Sequence, residues 1–288
     1  MTNIKKFSAN EDGFKVTREV QEYFDENGYI VVKGLLDSEE VTMLKEAMEQ
    51  DRDVLSNCFE RDDGDGQKVK LSLWNEPGDD ITGYLARSDK VAGTFDELLG
   101  GEVYHFHTKL VQKEAFTGGS FVWHQDYGYW YDNGVLVPDL GTVSIAIDRA
   151  DTSNGCLKVL PRSHKAGRIH HVVVAEQVGA DPDRMKYLTE RFDVVDVELD
   201  PGDALFFHCN LLHKSDQNNS PNRRWAMLFA YNRANNSPVI VDYHQPYKPL
   251  KRVRNSEVKN CSKSTQKRNY LDAINDDQAY QKQLQEQK

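Results

Sequence analysis

A His-x-Asp triplet near the middle of the chain offers the first pair of side chains that could bind a metal ion. His124 and Asp126 are separated by one residue, and side chains two positions apart on an extended strand lie on the same face. An imidazole and a carboxylate placed in this way can bind one divalent cation. Such triplets also arise by chance, so a buried histidine bonded to a neighbour is the alternative until a third ligand is found.

His213 has the best local setting for a third ligand among the histidines that follow. It comes after a tight turn and an apolar strand at residues 201–208, and a polar break at 218–222 precedes the next strand. A ligand beside a turn at the end of a strand lies at the mouth of a barrel, where a small molecule can reach it. His208 lies within the strand, and we interpret it as a structural histidine. Two histidines and one carboxylate are the ligand set of non-haem Fe(II) oxygenases.

Arg224 is a candidate anion-binding residue eleven positions after His213, at the start of another apolar strand. Its planar guanidinium binds a carboxylate through two parallel hydrogen bonds and stays charged at any useful pH. At the mouth of a strand, it is well suited to bind a dicarboxylate. The alternative is a surface ion pair, and we expect the neighbouring Arg223, which faces the other way, to form one.

Composition argues against several classes of partner. The chain has 288 residues and a net charge of −10, which disfavours nucleic acid or an anionic membrane as a partner. No segment approaches the run of about 18 apolar residues that a membrane span needs, and we recognise neither a signal peptide nor a C-terminal peroxisomal signal. The four cysteines form no CxxC motif, which fits a reducing compartment. We therefore expect a cytoplasmic protein, and its oligomeric state is not indicated.

The first hundred residues are predicted to be mainly helical. Apolar residues at helical spacing predict a helix that ends at Asn27-Gly28, and a short β-branched strand follows. Asp37 with Glu40 resembles the capping box of a second helix. Residues 88–99 also have a helical pattern.

From Val103 onward the pattern is that of strands. Short apolar and aromatic runs recur between Gly, Pro, Asn or Asp residues, which favours an antiparallel sandwich or barrel over βαβ units. Helices first and strands afterwards indicate segregated layers. We predict a single domain over residues 1–250, with a helical part at 14–100 and a strand core at 101–235, followed by a charged tail at 251–288. The predicted strands are 103–113, 121–126, 142–148, 156–160, 194–199, 204–207 and 225–231.

These residues together resemble a known family. The Fe(II)- and 2-oxoglutarate-dependent dioxygenases of the phytanoyl-CoA dioxygenase (PhyH) superfamily have the same functional residues in the same order, and the resemblance runs from about residue 23 to residue 231. The matching residues here are His124, Asp126, His213 and Arg224.

Two further stretches carry the resemblance. Residues 154–164 are similar to the family's NGxLxxxPGSH strand, although Arg162 replaces the usual glycine. The segment 121–126 and Trp130 are most similar to the ectoine hydroxylase branch.

The resemblance implies a double-stranded β-helix, or jelly roll, which is mainly β with helices packed on one sheet. It implies that His124, Asp126 and His213 hold Fe(II), that 2-oxoglutarate binds the iron and meets Arg224 through its far carboxylate, and that O2 takes the last position. The expected reaction is hydroxylation of a small-molecule substrate with release of succinate and CO2. Halogenating relatives replace the carboxylate ligand by a small residue, so Asp126 argues against halogenation.

Four other residues are expected near 2-oxoglutarate. His107 matches a polar residue that helps to hold 2-oxoglutarate in the ectoine hydroxylase branch, where an amide stands in its place, and Lys109 belongs to the same stretch. The tryptophan that matches Trp130 lies at the active site in that branch. Ser144 is a candidate contact on a neighbouring strand, and a small inward-facing residue without a role is the alternative.

The substrate itself is left open by the sequence. The aromatic residues of 127–131 fit either a pocket for a small cationic or amphipathic molecule or ordinary packing. The basic segment 162–171 fits either an anionic substrate group, such as a carboxylate or the phosphates of CoA, or a solvated loop. Residues 175–190 form a candidate lid.

Three alternatives to a small-molecule hydroxylase remain at this point. An acyl-CoA hydroxylase would share the whole mechanism. A non-catalytic jelly-roll protein would bind metal without forming succinate. A cupin-like metalloenzyme would bind iron and be indifferent to the loss of Arg224.

Overall fold

The computed structural model describes residues 4–10, 13–240, 244–262 and 268–270. Within these residues the strands form an eight-stranded sheet, a four-stranded sheet and a two-stranded hairpin. The strands are β1 Lys6–Ser8, β2 Tyr29–Lys33, β3 Phe59–Asp62, β4 Lys68–Trp74, β5 Val103–Lys113, β6 Phe121–His124, β7 Leu140–Ala146, β8 Leu157–Val159, β9 His171–Val174, β10 Gln177–Ala180, β11 Val195–Val197, β12 Ala204–His208, β13 His213–Ser215 and β14 Arg224–Arg233. The α-helices are α1 Arg18–Asn27, α2 Ser38–Gln50, α3 Arg52–Ser56, α4 Ile81–Arg87, α5 Thr94–Leu98, α6 Asp126–Trp130 and α7 Pro182–Arg191. None of these helices has the length and apolar character needed to span a bilayer.

The eight-stranded sheet carries the N-terminal helices on its outer face. Its strand order is β1-β2-β12-β7-β14-β5-β4-β3. Successive side chains on a strand point to opposite faces, and one set, which includes Ile30, Val143 and Phe206, packs with Phe24 and Leu44 of the helices in the largest apolar cluster. The helices therefore cover one face of this sheet and leave its other face for a cavity.

The four-stranded sheet, in the order β11-β8-β13-β6, faces the inner side of the larger sheet. Ser144 and Leu228 from the larger sheet and Leu157 and His213 from the smaller sheet line the same cavity. Apart from the parallel edge pair β1–β2, the strand pairs of both sheets are antiparallel, and two such sheets that enclose a cavity are the arrangement of a jelly roll. The predicted fold class, mainly β with helical cover, is confirmed.

The N-terminal part contributes more strands than its sequence pattern predicted. β1 and β2 lie at one edge of the large sheet, and β4 and β3 lie at the other. β4 pairs with β5, placing Leu71 opposite Val111, and β2 pairs with β12. β2 is the short strand predicted after α1, and the alternation of residues 68–73 also predicts β4. β1 and β3 were not predicted; they pair with β2 and β4 at the two edges of the sheet.

Local signals in the first hundred residues were more reliable. Gly28 ends α1 with φ of 79°, and its N–H donates to the Phe24 carbonyl, as the predicted stop requires. The capping box of Asp37 and Glu40 at α2 is confirmed. Residues 88–99 divide into a π-helical turn, Asp89–Gly93, and α5.

Part of the predicted tail packs on the helical layer. Val258 is fully buried, and the Arg268 guanidinium forms ion pairs with Asp51 and Asp80. These carboxylates also cap α3 and α4, so the tail is anchored at two helix N-termini. The remainder of the predicted tail, 263–267 and 271–288, lies outside the described residues.

Candidate iron and 2-oxoglutarate site

Three side chains converge in the space between the two sheets. The ligand atoms of His124, Asp126 and His213 all lie within 4.8 Å of one another, and Nε2 of His213 is 3.9 Å from Oδ1 of Asp126. Pairing of β6 with β13 makes the two histidines direct cross-strand partners, with ring centroids 4.1 Å apart. Two imidazoles and one carboxylate form a donor set that fits Fe(II).

Backbone carbonyls orient both imidazoles. Nδ1 of His124 lies 2.8 Å from the Val122 carbonyl oxygen, and Nδ1 of His213 lies 2.9 Å from that of Leu211. A carbonyl only accepts hydrogen bonds, so each Nδ1 carries the proton and each Nε2 keeps its lone pair for a metal. Burial lowers the pKa of both rings, that of His124 well below its ordinary value, which favours the neutral form that binds metals.

The carboxylate of Asp126 is fixed by one hydrogen bond to each oxygen. The Tyr129 hydroxyl donates to Oδ1 at 2.8 Å, and the Thr142 hydroxyl donates to Oδ2 at 2.7 Å. Burial raises the pKa of Asp126, but the nearby His213 and Lys109, with the Thr142 hydrogen bond, bring it below its ordinary value. Asp126 is therefore held ionised and oriented. Thr142 was not among the predicted site residues.

The turn between the two halves of the His-x-Asp triplet differs from the prediction. The predicted strand 121–126 ends at His124, and α6 begins at Asp126. Gln125 between them is extended, with φ of −113° and ψ of 138°. This single extended residue is sufficient to keep His124 and Asp126 on one side, so the spacing argument holds although the strand is shorter.

Gln125 and His171 hold this turn in place from behind. The Gln125 side chain is completely buried; its amide donates to the carbonyls of Gly167 and Asn210 and accepts from the Ile169 N–H. The backbone N–H of Gln125 donates to Nε2 of His171 at 3.0 Å. Sequence reasoning missed both residues as supports of the site, although Gln125 stood inside the motif.

A glycine permits this support to approach. A Cβ added to Gly128 would lie 2.0 Å from the His171 ring, so a larger residue would displace the imidazole that holds the turn.

Arg224 lies in an inner cavity that extends to the side chains of His124, Asp126 and His213. This cavity has a volume of about 470 Å³ including its opening. The guanidinium is only 4% exposed, its Nε has no hydrogen-bond partner, and no carboxylate among the described residues pairs with it. Burial lowers the pKa of Arg224 to about 10, so the group is still charged at neutral pH. A buried cation without a counter-ion is costly, and an anionic ligand relieves that cost.

Arg223 has the opposite environment, as predicted. It forms ion pairs with Asp148 and Glu49 at the surface. Its guanidinium also lies over the ring of Trp225. The two neighbouring arginines therefore face opposite sides of β14.

Three other polar side chains line the inner cavity. Ser144 and Lys109 were predicted near the site, and both lie on its wall. Ser215, which the sequence did not single out, is fully buried on the same wall, and its hydroxyl has no partner. Donors without partners beside an unpaired arginine fit a bound carboxylate.

A second, outer cavity of about 860 Å³ including its opening lies on the other side of His124. His107 and Trp130 line this cavity and not the one that holds Arg224. Residues two apart on β5 share a face. Along this face His107 lines the outer cavity, Lys109 lines both cavities, and Val111 lines the inner cavity. His107 and Trp130 therefore line a different cavity from Arg224, and their contact with 2-oxoglutarate stays a prediction.

The basic segment 162–171 is largely paired within the protein. Arg168 donates to Asp132 at 2.5 Å and lies over the Tyr131 ring, and Lys165 pairs with Glu26. These pairs favour the interpretation of its basic residues as part of a solvated loop, although His171 at the end of the segment is buried.

The candidate lid at 175–190 contains β10 and α7, which were not predicted. Gln177 and Val178 of β10 line the outer cavity. Glu176 accepts a hydrogen bond from the Asp62 N–H at 2.9 Å, which ties the β9–β10 hairpin to β3. The hairpin thus forms a wall of the outer cavity.

Comparison with known proteins agrees with this geometry. The sequence model of the phytanoyl-CoA dioxygenase (PhyH) family matches residues 24–226. The chain is similar to L-proline trans-4-hydroxylase from Streptomyces griseoviridis, with 31% identity over 177 residues that cover 56% of this chain and 66% of that protein. It is also similar to ectoine dioxygenase from Stutzerimonas stutzeri, with 25% identity over 265 residues that cover 82% of this chain and 86% of that protein.

Among solved structures, the fold is similar to that of EctD from S. alaskensis determined with 2-oxoglutarate and 5-hydroxyectoine. The TM-score is 0.69 at 22% identity, and the match covers 85% of this chain and 90% of that one. At this identity the likeness concerns the fold.

Proposed function

This chain belongs to the phytanoyl-CoA dioxygenase (PhyH) family, and on that premise we propose that it hydroxylates a small-molecule substrate with release of succinate and CO2. It is a non-haem oxygenase that uses Fe(II), 2-oxoglutarate and O2. The observation that carries the proposal is the convergence of three metal-binding side chains beside a buried arginine that has no counter-ion among the described residues.

His124, Asp126 and His213 are the proposed ligands of Fe(II). When bound there, iron supplies the activation of O2 that the chain's own side chains do not provide. The protein contributes the placement of the donors: carbonyls fix the two imidazoles, and Tyr129 and Thr142 fix the carboxylate.

Arg224 is the proposed partner of the far carboxylate of 2-oxoglutarate. A buried guanidinium binds a carboxylate through charge-assisted hydrogen bonds, and the inner cavity leads from Arg224 to the metal ligands. Ser144, Ser215 and Lys109 on the same walls supply further donors. Because no carboxylate in the described part of the chain pairs with Arg224, the cosubstrate would supply the missing anion.

The outer cavity is the proposed place for the molecule that is hydroxylated. It lies against His124 and is walled by Trp130, His107 and apolar side chains. Two relatives are named for L-proline and ectoine, and a compact substrate of that size suits this cavity. A cytoplasmic location stays a prediction.

An anaerobic titration tests the proposal. Protein with Fe(II) should give the weak visible absorption band of the iron–2-oxoglutarate complex when 2-oxoglutarate is added, and succinate should form slowly once O2 is admitted, even without a second substrate. Absence of both signals contradicts the proposed function. Metal binding without succinate indicates the non-catalytic alternative, and iron-dependent activity that is indifferent to 2-oxoglutarate indicates a cupin-like enzyme.

A further inference from the structure

Among the residues that the structure describes, the outer cavity is lined by basic and neutral polar side chains and by no carboxylate. Its polar walls include His107, His244, Lys109 and Arg61, and Asp126 does not reach it. Asn133 and Gln177 add neutral polar groups, and much of the remaining wall is apolar or aromatic, including Phe59, Leu71 and Val178 on the side of β3, β4 and β10. Among the described lining residues a cation would find no counter-ion, whereas an anion would find Lys109.

Two histidines in this wall are stacked on each other and lack hydrogen bonds. The rings of His107 and His244 are parallel to within 26°, with centroids 5.7 Å apart. They are 5% and 6% exposed. The Nδ1 atom of each ring is sealed from solvent without a partner, and neither Nε2 has a partner among the residues that the structure describes.

The protonation of these rings makes them donors toward the cavity. Burial lowers the pKa of His244 to about 3 and that of His107 well below its ordinary value, so both rings are neutral with one N–H each. A proton on the sealed Nδ1 would be a buried donor without an acceptor, which is unfavourable. The proton therefore belongs on Nε2, the nitrogen that is not sealed.

His244 is supplied by the segment that follows the last strand. It lies beyond β14 in sequence, and its ring packs on Phe106 of β5 with centroids 3.9 Å apart. Tyr247 continues the same packing against Tyr104. The jelly roll therefore provides His107, and a segment outside it adds the second imidazole.

We propose that the His107–His244 pair, together with Lys109, receives a carboxylate of the molecule that is hydroxylated, so that the substrate is a compact carboxylic acid. This inference rests on the proposed function and specifies its substrate class. The acid group is held at the histidine wall, and the apolar part of the substrate lies over His124. His244 is a specificity-determining residue that lies outside the matched family segment.

Matched acids and amides test the proposal. Protein loaded with Fe(II) and 2-oxoglutarate is titrated without O2 by calorimetry with L-proline and L-prolinamide, with L-pipecolic acid and its amide, and with choline. At least one acid should bind about tenfold or more tightly than its amide, because a hydrogen bond to a charged group contributes about 1.5–3 kcal/mol. Choline should bind more weakly than that acid.

Ring-preserving variants assign the effect to the pair. His244→Phe keeps a flat ring in the stack and removes both nitrogens, and His107→Phe does the same on the strand. Each should reduce the acid's affinity about tenfold and leave the amide's affinity nearly unchanged, whereas His244→Gln, which restores an N–H donor, should recover part of the loss. His170→Phe is the matched control, because His170 is an exposed histidine outside the cavity.

The outcomes separate this inference from the proposed function. Equal binding of acids and amides, no binding of any acid, tighter binding of choline, or an unchanged preference in both Phe variants overturns the inference. If 2-oxoglutarate binding and succinate formation persist in the same preparation, the proposed function stands without it. If those are also absent, the proposed function fails as well.

Discussion

The inner and outer cavities meet at the metal ligands but are built in different ways. The inner cavity is lined by the facing strands of the two sheets, with Arg224 and Ser144 on the large sheet and Ser215 on the small one. The outer cavity takes walls from the N-terminal strands, the β9–β10 hairpin and the segment that carries His244. The side that binds the common cosubstrate is thus part of the sheet framework, and the side that selects the substrate is assembled from peripheral pieces.

This difference indicates which parts of the chain can be substituted without disturbing the site for 2-oxoglutarate. Strand residues of the inner cavity are fixed by pairing on both sides: Ser144 lies between Leu205 and Leu228. The hairpin and the C-terminal segment have fewer such constraints. A change of substrate can therefore occur without a change in how 2-oxoglutarate is held.

Loss of His213 should have the largest effect because both cavities depend on the metal. His213→Ala leaves only one imidazole and Asp126 as ligands, so we expect loss of Fe(II) binding and no detectable succinate formation. Metal content and succinate are measured on the same sample. His170→Ala should behave as wild type; substantial activity in His213→Ala would remove this residue from the site.

Arg224→Ala should damage the inner cavity alone. Removing the buried partner of a carboxylate should weaken 2-oxoglutarate binding by about 2 kcal/mol or more, roughly thirtyfold, with little change in binding of the hydroxylated substrate. Arg223→Ala is the control, since its ion pairs face the surface. Equal 2-oxoglutarate affinities in the two variants would show that Arg224 does not bind the cosubstrate.

The sequence revealed the metal ligands but not what holds them. His124 and Asp126 are recognisable because the geometry of two extended residues is local, and Arg224 because a charged residue at the start of an apolar strand is unusual. Thr142 touches Asp126 only because β7 crosses behind it, and His244 reaches His107 from outside the sheets. Such contacts depend on tertiary pairing, which spacing along the chain does not encode.

His107 shows what a position along one strand leaves open. It lines the outer cavity with Trp130, whereas Lys109 lines both cavities and Val111 lines the inner one. The position of His107 along β5 does not say which ligand it contacts, so its contact with 2-oxoglutarate stays a prediction.

Thr142→Val should have an intermediate effect at the boundary between the cavities. Valine keeps the shape and removes one of the two hydrogen bonds to Asp126, so Fe(II) affinity should fall about tenfold, as is usual when a partner of a metal ligand is lost. Competition with a chelator measures it. Thr189→Val on α7 is the control, and an unchanged iron affinity would mean that Tyr129 alone orients the carboxylate.

Glu176→Ala should have the smallest effect, confined to the outer cavity. It removes the hydrogen bond from the Asp62 N–H that ties the hairpin to β3, and a single exposed bond contributes about 0.5–1 kcal/mol. We expect KM for the hydroxylated substrate to rise about twofold to fivefold, with KM for 2-oxoglutarate unchanged. Glu190→Ala is the control; a rise in KM for 2-oxoglutarate instead would mean that the two cavities are not independent.

The most direct test of the account is a crystal structure of the protein grown without O2 in the presence of Fe(II) and 2-oxoglutarate. We expect an anomalous iron signal at His124, Asp126 and His213, with the far carboxylate of 2-oxoglutarate on Arg224 and the outer cavity left free. Iron bound elsewhere, or 2-oxoglutarate lying in the outer cavity with Arg224 unpaired, would contradict it.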